Sequence, residues 1–319
     1  MAKFEVKKAV REKIYPKIAL IAPSGGGKTY SALRLATGMA EEIKNQTGKE
    51  AKILLANTEQ KRGYYYANEF SYSIVDIDAP HEPEKYVDLI NFAVDSGFDI
   101  LIIDSSSHEW EGKGGCLELQ QRAGGTYQAW SRVTPRHTRF IQAIADSPIT
   151  IIATMRAKDQ YEVTKDEKGK TTVQKLGTGA KQREGFEYEF TCSFMLDVKT
   201  NTAESSKDNT HIFEMQGPKL LTEDDGKKIM QWANSGDAAY TPVIRKDESE
   251  TATEPDPAEE LKELKRNLVK KCVELGGQKN EALMTKLKEF VPSGNPNAFR
   301  DVMKARECMA ALENIKPVE

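Results

Sequence analysis

The residues with the clearest potential for chemistry lie between positions 22 and 30, where the sequence reads APSGGGKTY. The spacing matches the phosphate-binding pattern G-x-x-x-x-G-K-[ST], except that alanine stands at the first glycine. In such a loop the backbone N–H groups point inward and the following helix adds its positive N-terminus, which attracts phosphates. We predict that these donors come from about residues 24–29. The predicted ATP-binding segment comprises Pro23, Ser24, Gly25, Gly26, Gly27, Lys28, Thr29 and Tyr30.

Two side chains of this loop have predicted roles of their own. Lys28 is expected to neutralise the β- and γ-phosphates, and Thr29 to place its hydroxyl on Mg²⁺. Ala22 lies at a strand end, where glycine eases the turn but makes no phosphate contact, so alanine is tolerable if its φ stays negative. A chance GGGKT turn is the alternative, but the flanking buried strand and amphipathic helix favour a phosphate loop.

Acidic residues at later strand ends complete the predicted site. Asp104 ends the apolar run FDILIID, and we expect it to hold the Mg²⁺ shell by accepting hydrogen bonds from its waters. Glu59 ends the strand after the loop helix, at the sheet edge where ligands bind in open α/β folds. Glu59 is the preferred group for orienting the attacking water, and Glu109 or Glu111 is the alternative.

Basic residues are concentrated between positions 156 and 183. Arg156 follows a core strand and is placed to sense the γ-phosphate in its own subunit, whereas Lys181 and Arg183 are candidates for reaching a neighbouring subunit's site. The run KDEKGK at 165–170 predicts an exposed hairpin tip. These charges could instead follow a nucleic-acid backbone, with bases stacked on the tyrosines at 64–66, or they could simply be solvated.

Hydrophobic periodicity supplies the elements that position these residues. Short apolar runs at 17–22, 53–56, 100–104 and 149–155 predict buried parallel strands, separated by amphipathic helices from 28 to about 45, over 86–94 and from 126 to 145. Alternation in FEYEFTCSFMLDV, residues 186–198, predicts an antiparallel strand paired with residues 211–215. Thr222 is predicted to cap a helix that continues to Trp232. Together these elements predict a parallel α/β core with an antiparallel edge.

Composition divides the chain into three predicted parts. Residues 1–240 form the α/β domain, and residues 241–260 form an acidic linker that has almost no large apolar side chains. Residues 261–319 place leucines at helical spacing and form a small helical domain. The mixed charges of this tail fit a partner-binding module at least as well as a DNA-binding one.

The bulk composition narrows the class of protein. The chain has 319 residues, a net charge of -3 and 39% hydrophobic residues, which suits a globular protein without a global attraction to nucleic acid. No run of about 18 apolar residues or apolar N-terminal stretch is present, so neither a membrane span nor a secretory signal is predicted, and a cytoplasmic location is expected. Four widely spaced cysteines argue against both a zinc site and a disulfide framework.

From Lys17 to Trp232 the chain resembles the phage-encoded RecA-like P-loop ATPases, often described as AAA-family proteins and associated with single-strand annealing and recombination. The resemblance rests on APSGGGKT, NTEQKRG, LIIDSSSHEWEG, AWSRVTPRHTRFIQAI, IIATMRAKDQYEV and KQREGFEYEF. It implies a RecA-like P-loop core with a mainly parallel sheet and antiparallel edge hairpins, to which this chain adds its C-terminal helical domain. It also implies an ATPase that acts as an oligomer near DNA, with Glu59 matching the catalytic glutamate.

Three functions are consistent with these observations. The preferred one is an Mg²⁺-dependent ATPase that forms a homo-oligomeric ring or filament on single-stranded DNA in phage recombination or replication. The second is a DNA-binding or annealing protein that uses ATP as a conformational switch with little turnover. A small-molecule kinase is the third, although no arginine-rich lid or acceptor pocket is recognisable in the sequence.

Overall fold

The computed structural model describes residues 6, 8–165, 171–240, 257–312 and 315. Their contacts divide the chain into two compact units, one covering residues 1–243 and the other residues 244–319. The larger unit carries the phosphate loop and the acidic strand ends, and the smaller unit is helical.

One mixed sheet organises the larger unit. Within the described residues its strands are β1 (Lys17–Ala22), β2 (Ile53–Asn57), β3 (Ser73–Asp76), β4 (Ile100–Asp104), β5 (Thr150–Lys165), β6 (Thr171–Ala180), β7 (Cys192–Leu196) and β8 (Ala203–Asp208). Their order is β3-β2-β4-β5-β1-β7-β8, and β6 pairs with β5 outside this path. All pairings are parallel except β5 with β6 and β7 with β8. This arrangement confirms the predicted α/β class with a mainly parallel sheet and antiparallel pairs.

Helices cover both faces of the sheet. They are α1 (Lys28–Thr47), α2 (Pro83–Asp95), α3 (Ser107–Glu111), α4 (Cys116–Arg122), α5 (Trp130–Asp146) and α6 (Glu223–Ala233). Ile18 and Leu20 of β1 belong to the apolar cluster under α1 and α6, whereas Ala19 and Ile21 belong to the cluster under α2 and α5. Because successive strand residues face opposite sides, burial on both faces requires the uninterrupted apolar runs seen in β1, β2 and β4.

The parallel register brings distant residues to one edge of the sheet. Ala22 at the end of β1 lies opposite Arg156 on β5, and Asn57 at the end of β2 lies opposite Asp104 at the end of β4. Since β1, β2, β4 and β5 all run in the same direction, their carboxyl ends and the residues that follow them gather at that edge.

The prediction for residues 186–198 is wrong in its first half. Residues 186–189 form a 3₁₀ turn after Gly185, and the strand begins only at Cys192. Phe186 and Phe190 are both buried, and a spacing of four residues puts two side chains on one face of a helical turn as well as on one face of a strand. The predicted partner, residues 211–215, forms turns instead, and β8 takes its place beside β7.

Several elements match their predicted positions, and others were not anticipated. Thr222 caps α6 through a reciprocal capping box with Asp225, as the sequence predicts for a helix start. The short strand β3 and the helices α3 and α4 lie in segments without strong periodicity. The predicted hairpin tip at 165–170 falls largely on residues 166–170, outside the described residues, although β5 and β6 flank it as an antiparallel pair.

The smaller unit contains α7 (Pro257–Glu274), α8 (Glu281–Phe290) and α9 (Val302–Leu312). Its core is built from Leu268, Leu283, Leu287, Cys308 and Leu312. Helix α7 begins at Pro257, so the last four residues of the range predicted as linker, 241–260, are helical. Proline at the first helical position loses no intrahelical hydrogen bond, which is why the proline-bearing stretch could also start a helix. Residues 241–256 lie outside the described residues.

Across the described residues, none of the helices combines the length and the apolar character needed to span a bilayer. The four cysteines are all buried and unpaired. Three tryptophans occupy positions 110, 130 and 232, all in the larger unit, so tryptophan fluorescence reports on that unit alone.

Candidate nucleotide site

The phosphate loop connects β1 to α1 at the carboxyl edge of the sheet. Gly25 and Gly27 have φ angles of 84° and 77°, in the left-handed region where a side chain is strained. Helix α1 begins at Lys28, so its first backbone N–H groups have no partner within the helix and face the loop. The N–H of Gly26 instead donates to Pro23 O at 3.2 Å.

Ala22 and Gly26 are sterically coupled. Ala22 is buried at the end of β1 and is not among the described residues with positive φ, as its prediction required. A Cβ at position 26 would lie 2.6 Å from the Ala22 Cβ, far inside van der Waals contact. The alanine that replaces the usual first glycine is therefore accommodated because residue 26 has no side chain.

Lys28 folds back onto the loop that precedes it. Its Nζ donates to Ala22 O and Pro23 O, both at 3.0 Å. Burial lowers the pKa of Lys28, and the nearby carboxylates of Asp104 and Glu59 oppose that shift. The amine thus lies among the loop carbonyls and the two acidic strand ends, where a polyphosphate would be an alternative partner.

Asp104 is buried and accepts hydrogen bonds from two threonines. Thr29 Oγ1 donates to Asp104 Oδ2 at 2.6 Å, and Thr154 Oγ1 on β5 donates to Oδ1. Burial raises the pKa of Asp104, and the two hydroxyl donors oppose the rise. Thr29 and Asp104, the predicted magnesium residues, are therefore in direct contact, and both offer oxygen atoms of the kind Mg²⁺ prefers.

Glu59 is held by two arginines. Arg156 donates to Glu59 Oε1 from Nε at 3.1 Å and from a terminal nitrogen at 2.8 Å, and Arg62 donates to Oε2 at 2.8 Å. Burial acts to raise the pKa of Glu59, but the hydrogen bonds and charges of Arg156 and Arg62 outweigh it, so the pKa lies below its usual value. The side chain is 15% exposed.

These groups line one cleft of about 600 Å³. Of the predicted site residues, the cleft contains Ser24, Gly25, Gly27, Lys28, Thr29, Tyr30, Glu59, Asp104 and Arg156. Pro23 and Gly26 do not line it, and within the loop the Gly26 amide donates to the Pro23 carbonyl. Lys181 and Arg183 also lie outside the described lining.

The two cations predicted to act in trans follow β6. The Lys181 amide donates to Arg156 O at 2.6 Å, and its Nζ lies 3.4 Å from Glu111 Oε1. Arg183 is exposed. Of the two alternative carboxylates, Glu111 is therefore paired with Lys181, and Glu109 is fully buried away from the cleft.

A family model described as an AAA domain matches residues 14–229, about two thirds of the chain. The chain belongs to this AAA domain family. Such domains are generally ATPases with a P-loop, so the match and the loop geometry agree on a nucleotide-binding domain. No curated protein gives a significant match to the chain.

The donor set of this AAA domain fits ATP with Mg²⁺. Gly25 and Gly27 line the cleft without side chains in a left-handed backbone, and a Cβ on Gly26 would clash with Ala22, so the loop presents its backbone to the cleft. Lys28 supplies a cation, and the Thr29 hydroxyl with the Asp104 carboxylate supplies hard oxygen ligands or acceptors for bound water. Family, loop and donor chemistry thus point to the same ligand class.

Several residues of the AAA domain cleft were missed by sequence reasoning. Arg34, Asn201, Leu220 and Leu221 line it, and Asn201 Nδ2 donates to Gly25 O at 3.3 Å. Only Arg34 carried a usable signal, because it follows the loop on the same helix. Asn201 and the leucines come from segments nearly 200 residues away, whose approach depends on the position of β7 beside β1.

The tyrosines proposed as stacking faces have different environments in the AAA domain. Tyr64 donates its hydroxyl to Asp76 at 2.7 Å, and Tyr66 packs against Tyr30. Tyr65 and Tyr66 both line the cleft, but Tyr66 is half-buried whereas Tyr65 is 69% exposed. Tyr65 is therefore the member of the trio best placed to meet a ligand.

Proposed function

We propose that this protein is an Mg²⁺-dependent ATPase that assembles as a homo-oligomeric ring or filament and acts on single-stranded DNA in phage recombination or replication. The observation that carries the ATPase part is the convergence of Lys28, Thr29, Asp104 and Glu59 in one cleft beside a glycine-rich loop. In that role the protein would work in the cytoplasm of a bacterial host.

The reaction would be attack of water on the γ-phosphorus of ATP. A bond forms from the water oxygen to phosphorus, the bond to the bridging oxygen breaks, and ADP, phosphate and a proton result. Lys28 holds the phosphate charge, and Glu59 accepts a hydrogen bond from the water to orient it. Mg²⁺, when bound near Thr29 and Asp104, would neutralise charge on the phosphate oxygens.

Arg156 links nucleotide binding to the state of Glu59. In the structure it donates two hydrogen bonds to Glu59 Oε1, so that carboxylate is not free to take a water. A γ-phosphate offers the guanidinium a more highly charged partner of matching geometry. Transfer of Arg156 to the phosphate would release Glu59, so that the water is oriented only when the triphosphate is present.

The proposed assembly and DNA contacts draw on different residues. Lys181 or Arg183 would complete the site of a neighbouring subunit, where a cation stabilises the charge on the transferred phosphoryl group. Basic residues of the β5 and β6 ribbon would follow the DNA backbone, and Tyr65 would offer a stacking face. The C-terminal helical unit is proposed to bind a protein partner. The resemblance to recombination-associated ATPases and the local basic charge support these proposals.

One observation favours the second candidate, a DNA-binding protein that uses ATP as a switch. Both carboxylate oxygens of Glu59 are occupied by arginines, of which Arg62 is supplied by the same short turn. If both pairs persist with ATP bound, the arginines compete with the water for Glu59, and the nucleotide serves as a conformational signal. This candidate shares the site and differs in turnover.

The test measures ATP binding by calorimetry and phosphate release, with and without single-stranded DNA. We expect wild type to bind and hydrolyse ATP, Lys28→Ala to lose binding, and Glu59→Gln to bind ATP while turnover falls about 10²- to 10⁴-fold. Glu50→Gln, which alters an exposed carboxylate paired with Lys44, is the matched control and should behave as wild type. Binding without turnover under any condition would favour the switch, and no ATP binding would reject both candidates.

A further inference from the structure

A buried polar network lies behind the nucleotide cleft, where the residues after β4 meet those after β6. Its members are Glu109 on α3, Cys116 on α4, His137 on α5 and Gln182 after β6, each no more than 2% exposed. Both carboxylate oxygens of Glu109 are engaged: Oε1 by Cys116 Sγ and His137 Nδ1, both at 3.0 Å, and Oε2 by Gln182 Nε2 at 3.1 Å.

Hydrogen bonding accounts for the closeness of these atoms. Glu109, Cys116 and His137 offer potential metal ligands within 4.8 Å of one another. Burial, with the neighbouring Glu109 carboxylate, raises the pKa of the Cys116 thiol, so the sulfur remains a protonated donor. Three donors already bond to the Glu109 carboxylate. We therefore interpret these residues as a hydrogen-bonded network rather than as a metal site.

Gln182 connects this network to the cleft. Its Nε2 also donates to Ser106 O at 3.2 Å, two residues after Asp104, and its Oε1 accepts from the Arg183 amide at 2.9 Å. Ser106 is in turn tied to β5, because its amide donates to Thr154 O at 2.9 Å. A single buried amide therefore joins the loop after the magnesium aspartate to the backbone of the segment that carries Lys181 and Arg183.

Exposure alternates along residues 181–183, as expected if the buried Gln182 fixes the position of this segment. Gln182 is buried, Lys181 on one side of it is half-buried, and Arg183 on the other side is exposed. A long cationic side chain loses conformational entropy when it binds a phosphate. If its backbone is already fixed, the total entropy lost on binding is smaller. With the Gln182 amide turned inward, Arg183 is exposed and Lys181 is half-buried beside Glu111.

We propose that Gln182, held by Glu109 and the Ser106 carbonyl, is a positioning residue that presents Lys181 and Arg183 to the ATP site of a neighbouring subunit. The inference rests on the proposed function, because it needs hydrolysis that depends on a cation supplied in trans. Gln182 acts through its neighbours: it fixes their backbone relative to Ser106 and itself touches no substrate.

The test substitutes Gln182 by methionine, which keeps the volume and removes the amide. We expect phosphate release to fall at least about tenfold while affinity for a fluorescent ATP analogue stays within about twofold, since the variant's own cleft is intact. The Lys28→Ala variant cannot bind ATP but keeps Lys181, Gln182 and Arg183. Mixing the two variants should therefore give more turnover than either alone, because Lys28→Ala subunits supply the cations to the intact clefts of Gln182→Met subunits. Gln231→Met is the matched control, because Gln231 donates to Glu42 at 3.1 Å on a distant helix.

The outcomes separate this inference from the proposed function. If the wild-type protein shows no turnover, both the proposed ATPase function and the positioning role of Gln182 are rejected. If wild type turns over and Gln182→Met does so equally well, the positioning role is wrong. It is also wrong if the mixture with Lys28→Ala stays inactive while a mixture of Arg183→Ala or Lys181→Ala with Lys28→Ala recovers. Gln182→Asn, a shorter amide with milder packing effects, should repeat the result if the methionine variant folds poorly by tryptophan fluorescence.

Discussion

Two glutamates of the AAA domain are both fully engaged, yet their surroundings differ. Glu59 is bonded to two arginines and is 15% exposed, whereas Glu109 is bonded to an amide, a thiol and an imidazole and is entirely buried. A carboxylate beside solvent can exchange partners at modest cost, because water and mobile cations replace what is lost. One sealed in the core cannot, since each lost donor leaves an unpaired polar group.

The difference assigns the two sites different work. At Glu59 the partners are long cationic side chains that a phosphate could attract away, which suits a group that must be released during a reaction cycle. At Glu109 the partners come from three separate elements, α4, α5 and the segment after β6, so the carboxylate fixes those elements relative to one another. Glu59 is therefore suited to changing its hydrogen-bond partners, and Glu109 to holding three elements in fixed positions.

The largest difference between the two glutamates is expected in the free energy of unfolding when each carboxylate is removed. Glu109→Leu should lower the free energy of unfolding by about 3–5 kcal/mol, because buried donors are left without an acceptor. Glu59→Gln should change it by less than about 1 kcal/mol, since Glu59 borders solvent. Urea unfolding followed by tryptophan fluorescence isolates the larger unit. Equal losses at the two positions would contradict the distinction.

A second test asks whether the loop backbone sets the cleft. Gly26→Ala should weaken ATP binding by a factor that corresponds to about 1–3 kcal/mol, because its Cβ would approach the Ala22 methyl to 2.6 Å. Ala22→Gly alone should bind ATP as wild type does, and combined with Gly26→Ala it should recover much of the loss. Calorimetric titration gives the three affinities, and a double variant no better than Gly26→Ala would refute the steric coupling.

Lys17 extends the comparison to a buried cation. Its Nζ donates to Ser147 O and Oγ and to Ile149 O, all neutral acceptors, and burial lowers its pKa to about 7, with Asp146 opposing the shift. Because the folded pKa lies below the unfolded value of 10.5, the unfolded chain binds more protons between these values, and stability rises with pH across that window.

Between pH 7.5 and 8.5 this group should add about 1 kcal/mol of stability, which Lys17→Met should lack. Lys49→Met, at an exposed position, is the control and should keep the wild-type slope. The measurement is urea unfolding at each pH with fluorescence detection. A slope that Lys17→Met leaves unchanged would show that the lysine keeps its proton throughout.

The smallest effect is expected at Arg62, which is 61% exposed. Arg62→Ala should change the free energy of unfolding by less than about 0.5 kcal/mol, because solvent and salt screen an exposed pair. Turnover should change by only about threefold or less, since Arg62 bonds to Oε2, whereas the oxygen that Arg156 would release to the water is Oε1. A large gain in phosphate release would instead identify Arg62 as the restraint that keeps Glu59 from water.

The sequence by itself determined the local features of the site. The glycine-rich loop, the helix that starts at Lys28 and the apolar strands that end near Glu59 and Asp104 follow from residue type and spacing over a few positions. Fully buried parallel strands need uninterrupted apolar runs, so their positions could be predicted, and the cap at Thr222 depends on residues only three apart. The family match over residues 14–229 agrees with this part of the prediction.

Tertiary structure alone decided which distant groups meet. Arg156 contacts Glu59 across 97 residues, and Gln182 contacts Glu109 across 73, because strand order and register set those distances and no local pattern encodes them. The alternation at 186–198 was misleading because a spacing of four residues suits both a strand face and a helical turn. Phe186 lies in a 3₁₀ turn and stacks on Phe140 of α5, a contact that only the tertiary structure shows. Residue types determined which chemical groups are available, and the order of strands in the sheet determined which of those groups contact one another.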